Sequence, residues 1–359
     1  MTNDADAQGL VISDISSRDR PDFPDEDRVK AAAAGIAKHS GMKSEDFEFV
    51  RLVVSPGSIR VAWKGVSPAK PPEKRKTITE WSRKSRASMV RRLCTLDYAP
   101  LFAKRGHAPA VITLTYPGDW LAAAPDGATA KAHLAALRKR YRRKYETPLG
   151  GVWKMEFQAR GAVHFHIFCA PPTGTKFAAW LSEAWADVVN APDPVERAAH
   201  MKAGTRVDWA EGLRASDPVR VAVYFTKHGS ANYGDKEYQN RAPDEWLTEG
   251  KVLGRFWGYW LLDAVEIAVP VERHRAVYAA RVLRRWTRAS QRTRREVVWR
   301  TNSETGEVYR RHARRRVRRM RGHAGFVSVN DAPHLAEQLA TAIERRFSTV
   351  PWVRRVPLP

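Results

Sequence analysis

The sequence predicts an α+β protein: a mostly antiparallel sheet with flanking helices, plus a basic C-terminal extension. Three observations predict it. Between residues 109 and 265, runs that alternate with period two are interspersed with runs of helical period. Two of the strand-like runs, GVWKMEFQ and VHFHIFCA, are separated only by Ala159-Arg160-Gly161-Ala162, a hairpin signal. Beyond Pro270 the composition changes, and residues 281–321 hold 16 Arg and no Lys against Glu296, Glu304 and Glu307.

The elements follow in chain order. Residues 1–42 carry Asp4, Asp6, Asp14, Asp19, Asp22, Asp25, Glu26 and Asp27 with few large apolar residues. That predicts a disordered acidic tail, with a short helix at AAAAGIAKHS as the alternative. Residues 43–77 read as a small β segment and a linker. FEFVRLVVS and SIRVAWKGV are short strands joined at Pro56-Gly57, and PAKPPEKRK resists packing through Pro and like charges.

From Thr79, the residues Trp81, Met89, Leu93 and Leu96 recur at helical spacing with Arg and Lys between them. AVITLTY is a strand ended by Pro117-Gly118, and TAKAHLAALRKRYRRKY is a basic helix with Leu134, Leu137 and Tyr141 on one side. KFAAWLSEAWADVV is an amphipathic helix, TRVDWAEG a short strand and VRVAVYFTKHG a further helix. Residues 78–270 therefore read as one α+β domain. In the extension, 271–359, residues 272–292 read as a basic helix, and VVWRT and VYRRH as a hairpin around SETGE.

The 359 residues carry 62 Lys plus Arg against 39 Asp plus Glu, a formal charge of +23. Charge on this scale opposes compaction unless a polyanion neutralises it, so nucleic acid or an anionic membrane is the natural partner. The most apolar stretch, WGYWLLDAVEIAVPV, is broken by Asp263, Glu266 and Pro270, which excludes a bilayer-spanning helix there. Cys94 and Cys169 are too few for a disulfide framework or a CxxC zinc site. The N-terminal MTNDADAQGL lacks a basic segment followed by an apolar one, so no secretory signal is expected and the compartment read is cytoplasmic. Arg makes planar, forked contacts to phosphates and guanine edges. The DNA-binding candidates are therefore Arg284, Arg285, Arg288, Arg292, Arg294, Arg295, Arg310, Arg311, Arg314, Arg315 and Arg316.

Chemistry concentrates around the 159–162 hairpin. In VHFHIF, His164 and His166 fall on one strand face, about 7 Å apart at Cα, and can chelate one divalent ion. A three-residue loop at Arg160-Gly161-Ala162 would pair Gln158 with His164 and Glu156 with His166, placing Glu156 on the same face. A two-residue loop would put it on the other. Two imidazoles and a carboxylate with open positions suit Mn²⁺ or Mg²⁺ beside a phosphate. In VAVYFTK, Tyr224 and Lys227 share a helical face at i and i+3. Val221, Val223 and Phe225 offer the same helix a buried side. A phenol of pKa near 10 needs a cation or a base to become a nucleophile, and Lys227 can serve as that cation.

ITLTYP (Ile112 to Pro117), VHFHIF and VAVYFTK occur in an order and spacing that resembles the HUH endonucleases, specifically the rolling-circle replication initiators (Rep proteins) of bacterial plasmids and phages. The resemblance spans about residues 78–265. It implies an HUH nicking-joining domain at 78–270 with a ferredoxin-like, RRM-like core. It further implies a divalent ion on His164, His166 and Glu156, and Tyr224 as the nucleophile that forms a 5′-phosphotyrosine link. Some relatives carry a second Tyr near the first on this helix. Here positions 220 and 228 are Arg and His, and Tyr233 and Tyr238 lie beyond Gly229. The implied partners are single- and double-stranded DNA at an origin. No Walker-type GxxxxGK[ST] is present, so host helicase and polymerase are also implied. Two other readings stay open: an HUH transposase or mobilisation relaxase, and a DNA-binding protein without catalysis. Trp153, Trp185 and Trp209 could stack bases of a single strand, although core packing accounts for most Trp residues.

Overall fold

In the computed structural model the described residues are 24–41, 50–63, 78–189, 193–214, 221, 224–225, 238–248, 251, 253–290, 293–301, 305–316, 320–323 and 325–348. The first elements are α1 (Glu26–Lys38), β1 (Val50–Ser55) and β2 (Ser58–Ala62). Then come α2 (Arg83–Leu93), α3 (Ala99–Phe102), β3 (Ala110–Thr115), α4 (Trp120–Ala123) and α5 (Gly127–Tyr145). The centre continues with β4 (Gly151–Phe157), β5 (Val163–Cys169), α6 (Thr175–Val189), α7 (Pro194–Ala203), β6 (Thr205–Asp208), α8 (Trp209–Arg214) and β7 (Trp257–Trp260). The last elements are β8 (Ile267–Val271), α9 (Arg273–Ser290), β9 (Thr293–Thr301), β10 (Val308–Arg316), β11 (Met320–His323), β12 (Phe326–Val329) and α10 (Ala332–Phe347).

Contacts divide the chain into two units: residues 69–264 belong to one, and residues 24–68 with 265–359 to the other. In the first, a five-stranded antiparallel sheet runs in the order β6-β3-β5-β4-β7. The two central strands are mostly apolar and buried, as a sheet covered on both faces requires. Helices α5 and α6 pack together, with Arg138 over the Trp260 ring at 4.4 Å and Trp185 Nε1 donating to Thr115 O at 2.6 Å. On the other face α2 lies near β4 and β7: Trp257 Nε1 donates to Ser85 Oγ at 3.2 Å, and Arg92 stands over the Tyr259 ring. The predicted Trp81, Met89 and Leu93 are buried, and Ser82 caps α2 by accepting from Ser85 N.

Three expectations differ from the structure. Residues 26–38, assigned to the acidic tail, form α1, because Val29, Ala32, Ala33 and Ile36 fall on one face and are buried. Asp25, Glu26 and Asp27 are its cap and first turn, where negative charge favours a helix. TRVDWAEG is a strand only to Asp208. The Asp208 carboxylate accepts from Glu211 N at 2.8 Å and starts α8. The segment 265–359 is also more than a nucleic-acid extension. Strand β8 pairs with β1, and β12 with β2, in a sheet ordered β11-β12-β2-β1-β8. Helices α1, α9 and α10 share a core with that sheet, and Arg28 bridges Asp331 at 2.6 Å. The predicted Arg-rich hairpin forms as β9–β10, a separate two-stranded sheet.

Candidate active site

The site is built on the β4–β5 hairpin. Gly161 sits at φ +85°, a left-handed conformation that glycine adopts without strain. Gly161 N donates to Gln158 O at 2.9 Å and Gln158 N to Ala162 O at 2.8 Å. The loop is therefore three residues long, as expected, but spans 159–161 and closes one residue early. The expected pairing is corrected accordingly: Glu156 faces His164 and Lys154 faces His166. A shift by two keeps the parity, so Glu156 stays on the histidine face.

On that face the side chains form a continuous chain. Tyr224 Oη lies 3.3 Å from His166 Nδ1, and Thr113 Oγ1 lies 3.4 Å from the same nitrogen. His166 Nε2 meets Glu156 Oε2 at 3.3 Å, and Glu156 Oε1 accepts from Lys154 Nζ. The His164 and His166 rings stand edge to face, with centroids 4.6 Å apart. Lys154 is 0 % exposed and lies 3.8 Å from the Trp81 ring centroid, while Glu156 is 3 % exposed. Both histidines are half-buried, so the face opens toward solvent at the imidazoles.

Burial alone would push the Glu156 carboxyl up. The hydrogen bond from His166 and the charge of Lys154 outweigh it and hold the group well below the usual carboxylate range. Burial pushes the Tyr224 phenol up instead, and the negative charges of Glu156, Glu211 and Asp208 add to the rise. Tyr224 is therefore a protonated phenol that needs an added positive charge to become a nucleophile.

The donor set is one carboxylate oxygen and two imidazoles on adjacent strands. Two ligands bound at about 2.1 Å and at right angles to each other lie about 3 Å apart, close to the separation of Glu156 Oε2 and His166 Nε2. These residues fit a small divalent ion. Among the described residues, no three His, Cys, Asp or Glu side chains already converge as a metal cage. Glu156 is instead engaged by Lys154 and His166.

Of the other candidates, Val221 and Phe225 are buried as expected, Tyr238 is partly exposed, and Lys227 and Tyr233 lie outside the described residues. Trp153 and Trp185 are buried and Trp209 rests against Phe177, so the first two are core residues unable to stack a DNA base. Arg284, Arg285 and Arg288 are exposed on α9 and line one groove with Arg281. Arg310 is exposed on β10. Arg294, Arg295, Arg311, Arg314, Arg315 and Arg316 occupy ribbon positions, their side chains outside the description, and Arg292 lies outside it altogether. The sequence reading missed Lys154. Its signal was present: Lys154-x-Glu156 has the same period-two spacing as His164-x-His166 across the hairpin.

The fold and this titratable sheet face together define a class: an α+β domain presenting a tyrosine beside paired histidines and a carboxylate. Residues 109–227, which contain every member of the site, match the family model of the replication-associated protein ORF2. The match covers about a third of the chain and connects this region with DNA replication. No curated protein and no solved structure gave a significant match.

Proposed function

We propose that this protein is a rolling-circle replication initiator of the HUH type, which nicks one DNA strand at an origin and later rejoins the ends. The observation that carries the reading is the placement of the Tyr224 hydroxyl at 3.3 Å from His166, on the face shared with His164 and Glu156. In the reaction the Tyr224 Oη–phosphorus bond forms as the bond from phosphorus to the 3′ oxygen breaks. The phenol proton is balanced by the one taken up on the new 3′-hydroxyl. Because one phosphoester replaces another, a 3′-hydroxyl can attack the phosphotyrosine and restore the strand without ATP.

His166 fixes the phenol in position, and His164, His166 and Glu156 would hold the divalent ion, Mn²⁺ or Mg²⁺. When bound, that ion supplies positive charge to the scissile phosphate. Lys227 is assigned the counter-charge for the emerging phenolate. The α9 arginines and the β9–β10 ribbon hold duplex DNA, because a two-stranded ribbon or a helix fits the major groove and arginine is its best reader.

The test is incubation with Mn²⁺ and a labelled single-stranded oligonucleotide carrying the protein's own origin. An SDS-resistant adduct is expected with the wild type, and none with Tyr224→Phe. His164→Ala should lose the adduct and keep salt-dependent DNA binding. An unchanged adduct in Tyr224→Phe would falsify the assignment. Binding that ignores Mn²⁺ and gives no adduct on a functional origin would leave a non-catalytic DNA-binding protein.

A further inference from the structure

The proposed reaction uses Glu156 and leaves its buried partner, Lys154, without a role. We propose that Lys154 is a positioning residue, a resident counter-cation that occupies one Glu156 oxygen in the metal-free site and weakens the site's hold on a divalent ion. The inference rests on the metal-site reading above and deepens it.

Lys154 lies at the register position opposite His166, on the same sheet face as His164 and Glu156. It has no exposure, and it is enclosed by the Trp81 ring at 3.8 Å and the Glu156 carboxylate. Arg86 stands 5.6 Å from the centroid of the same indole. A buried ion pair is a weak source of stability, since apolar residues of equal volume commonly do as well or better. Stability therefore does not account for a lysine at this point.

What the pair does is fix the carboxylate. Oε1 is turned to Lys154, and Oε2 is turned to His166 Nε2 at 3.3 Å. One oxygen alone is presented to the imidazoles. A divalent ion held by that oxygen would sit within one carboxylate width of the Lys154 charge. Coulomb repulsion at that range, even at an effective dielectric of about 20, reduces affinity by about tenfold or more. Lys154 thus keeps the carboxylate aimed at the histidines while making the ion exchangeable. That suits hard cations that are shared with substrate phosphates and not caged by protein alone.

The experiment is a Mn²⁺ titration of the full chain without DNA, reading free Mn²⁺ by electron paramagnetic resonance, with thermal melts in parallel. Lys154→Met and Lys154→Gln are each expected to bind Mn²⁺ at least about tenfold tighter than wild type. They should also show a larger Mn²⁺-dependent rise in Tm. Lys154→Arg, which keeps the charge, should stay near wild type. In a Glu156→Gln background the effect of Lys154→Met should vanish, because Lys154 acts through that carboxylate. Lys154→Gln retains a hydrogen-bonding group and decides the question if the methionine variant does not fold. Equal or weaker Mn²⁺ binding by both neutral variants, with a wild type that binds, overturns the inference alone. So does an effect that persists in the Glu156→Gln background. A wild type and variants that all ignore Mn²⁺ remove the metal reading, and this inference with it.

Discussion

Glu156 has two neighbours that compete for one carboxylate, and that competition governs the site. Lys154 and His166 together hold the group ionised against the cost of burial. A carboxyl whose pKa is lower folded than unfolded contributes stability above its unfolded value and loses it as the pH falls through the folded one. The window therefore opens below about pH 4.3 and extends downward. Glu156→Gln should cost about 3 kcal/mol at pH 7, because it leaves the Lys154 ammonium buried and unpaired. The gap from wild type should shrink as the pH is taken toward 3, read by urea unfolding at both values. A gap that stays constant would show that the carboxylate charge is not what stabilises the pair. At this scale the sequence was informative about parity and silent about partners. The spacing of His164, His166 and Glu156 was enough to place all three on one face. Nothing local told which of Lys154 or solvent would face Glu156, since a lysine in a strand ordinarily points outward.

The β4–β5 hairpin carries these side chains, and its turn sets their order. Gly161 is left-handed, and a Cβ there would meet the Trp120 ring at 2.9 Å. Arg160 clamps the same turn to the end of β3, donating to Tyr116 O at 2.6 Å, Pro117 O at 2.8 Å and Gly118 O at 3.0 Å. Gly161→Val adds both the wrong backbone conformation and a steric clash, and should destabilise by about 2 kcal/mol. Its midpoint in urea should fall with little change in slope. Because the turn fixes the register, the variant should also lose adduct formation more than its stability loss explains. Wild-type adduct yield at full folding would mean that the register is held by the neighbouring strands alone. The existence of both strands was legible from alternation, whereas the closing residue was not. A loop at 159–161 and one at 160–162 satisfy the same pattern, and the hydrogen bonds of Gly161 and Gln158 choose between them.

Across the whole molecule the positive charge has a definite location. Strands β9 and β10 pair Arg294 with Arg315 and Arg295 with Arg314, like charges directly opposite one another. Such pairs are unfavourable, and a two-stranded ribbon is marginal by itself, so a polyanion is its natural stabiliser. Changing Arg310, Arg311, Arg314, Arg315 and Arg316 to Ala should flatten the salt dependence of duplex binding. The slope of log K against log salt should fall by about 3 to 5 units, at about 0.9 per lost phosphate contact. The Tyr224 adduct on a short single strand should persist. An unchanged slope in a filter-binding or anisotropy titration would move duplex binding elsewhere, α9 being the next surface to test.

The sequence by itself determined the mixed α and β class, the strands and helices between residues 109 and 214, the Arg-rich ribbon, and the shared face of His164, His166 and Glu156. These follow from periodicity, which local sterics impose on any chain. Tertiary structure alone decided that residues 24–68 fold with 265–359, since β1 meets β8 across more than 200 residues of intervening chain. It alone brought Tyr224 to His166 and Lys154 to Glu156. Those meetings depend on which strands are neighbours and on what each buried charge finds beside it, and no local pattern carries that information.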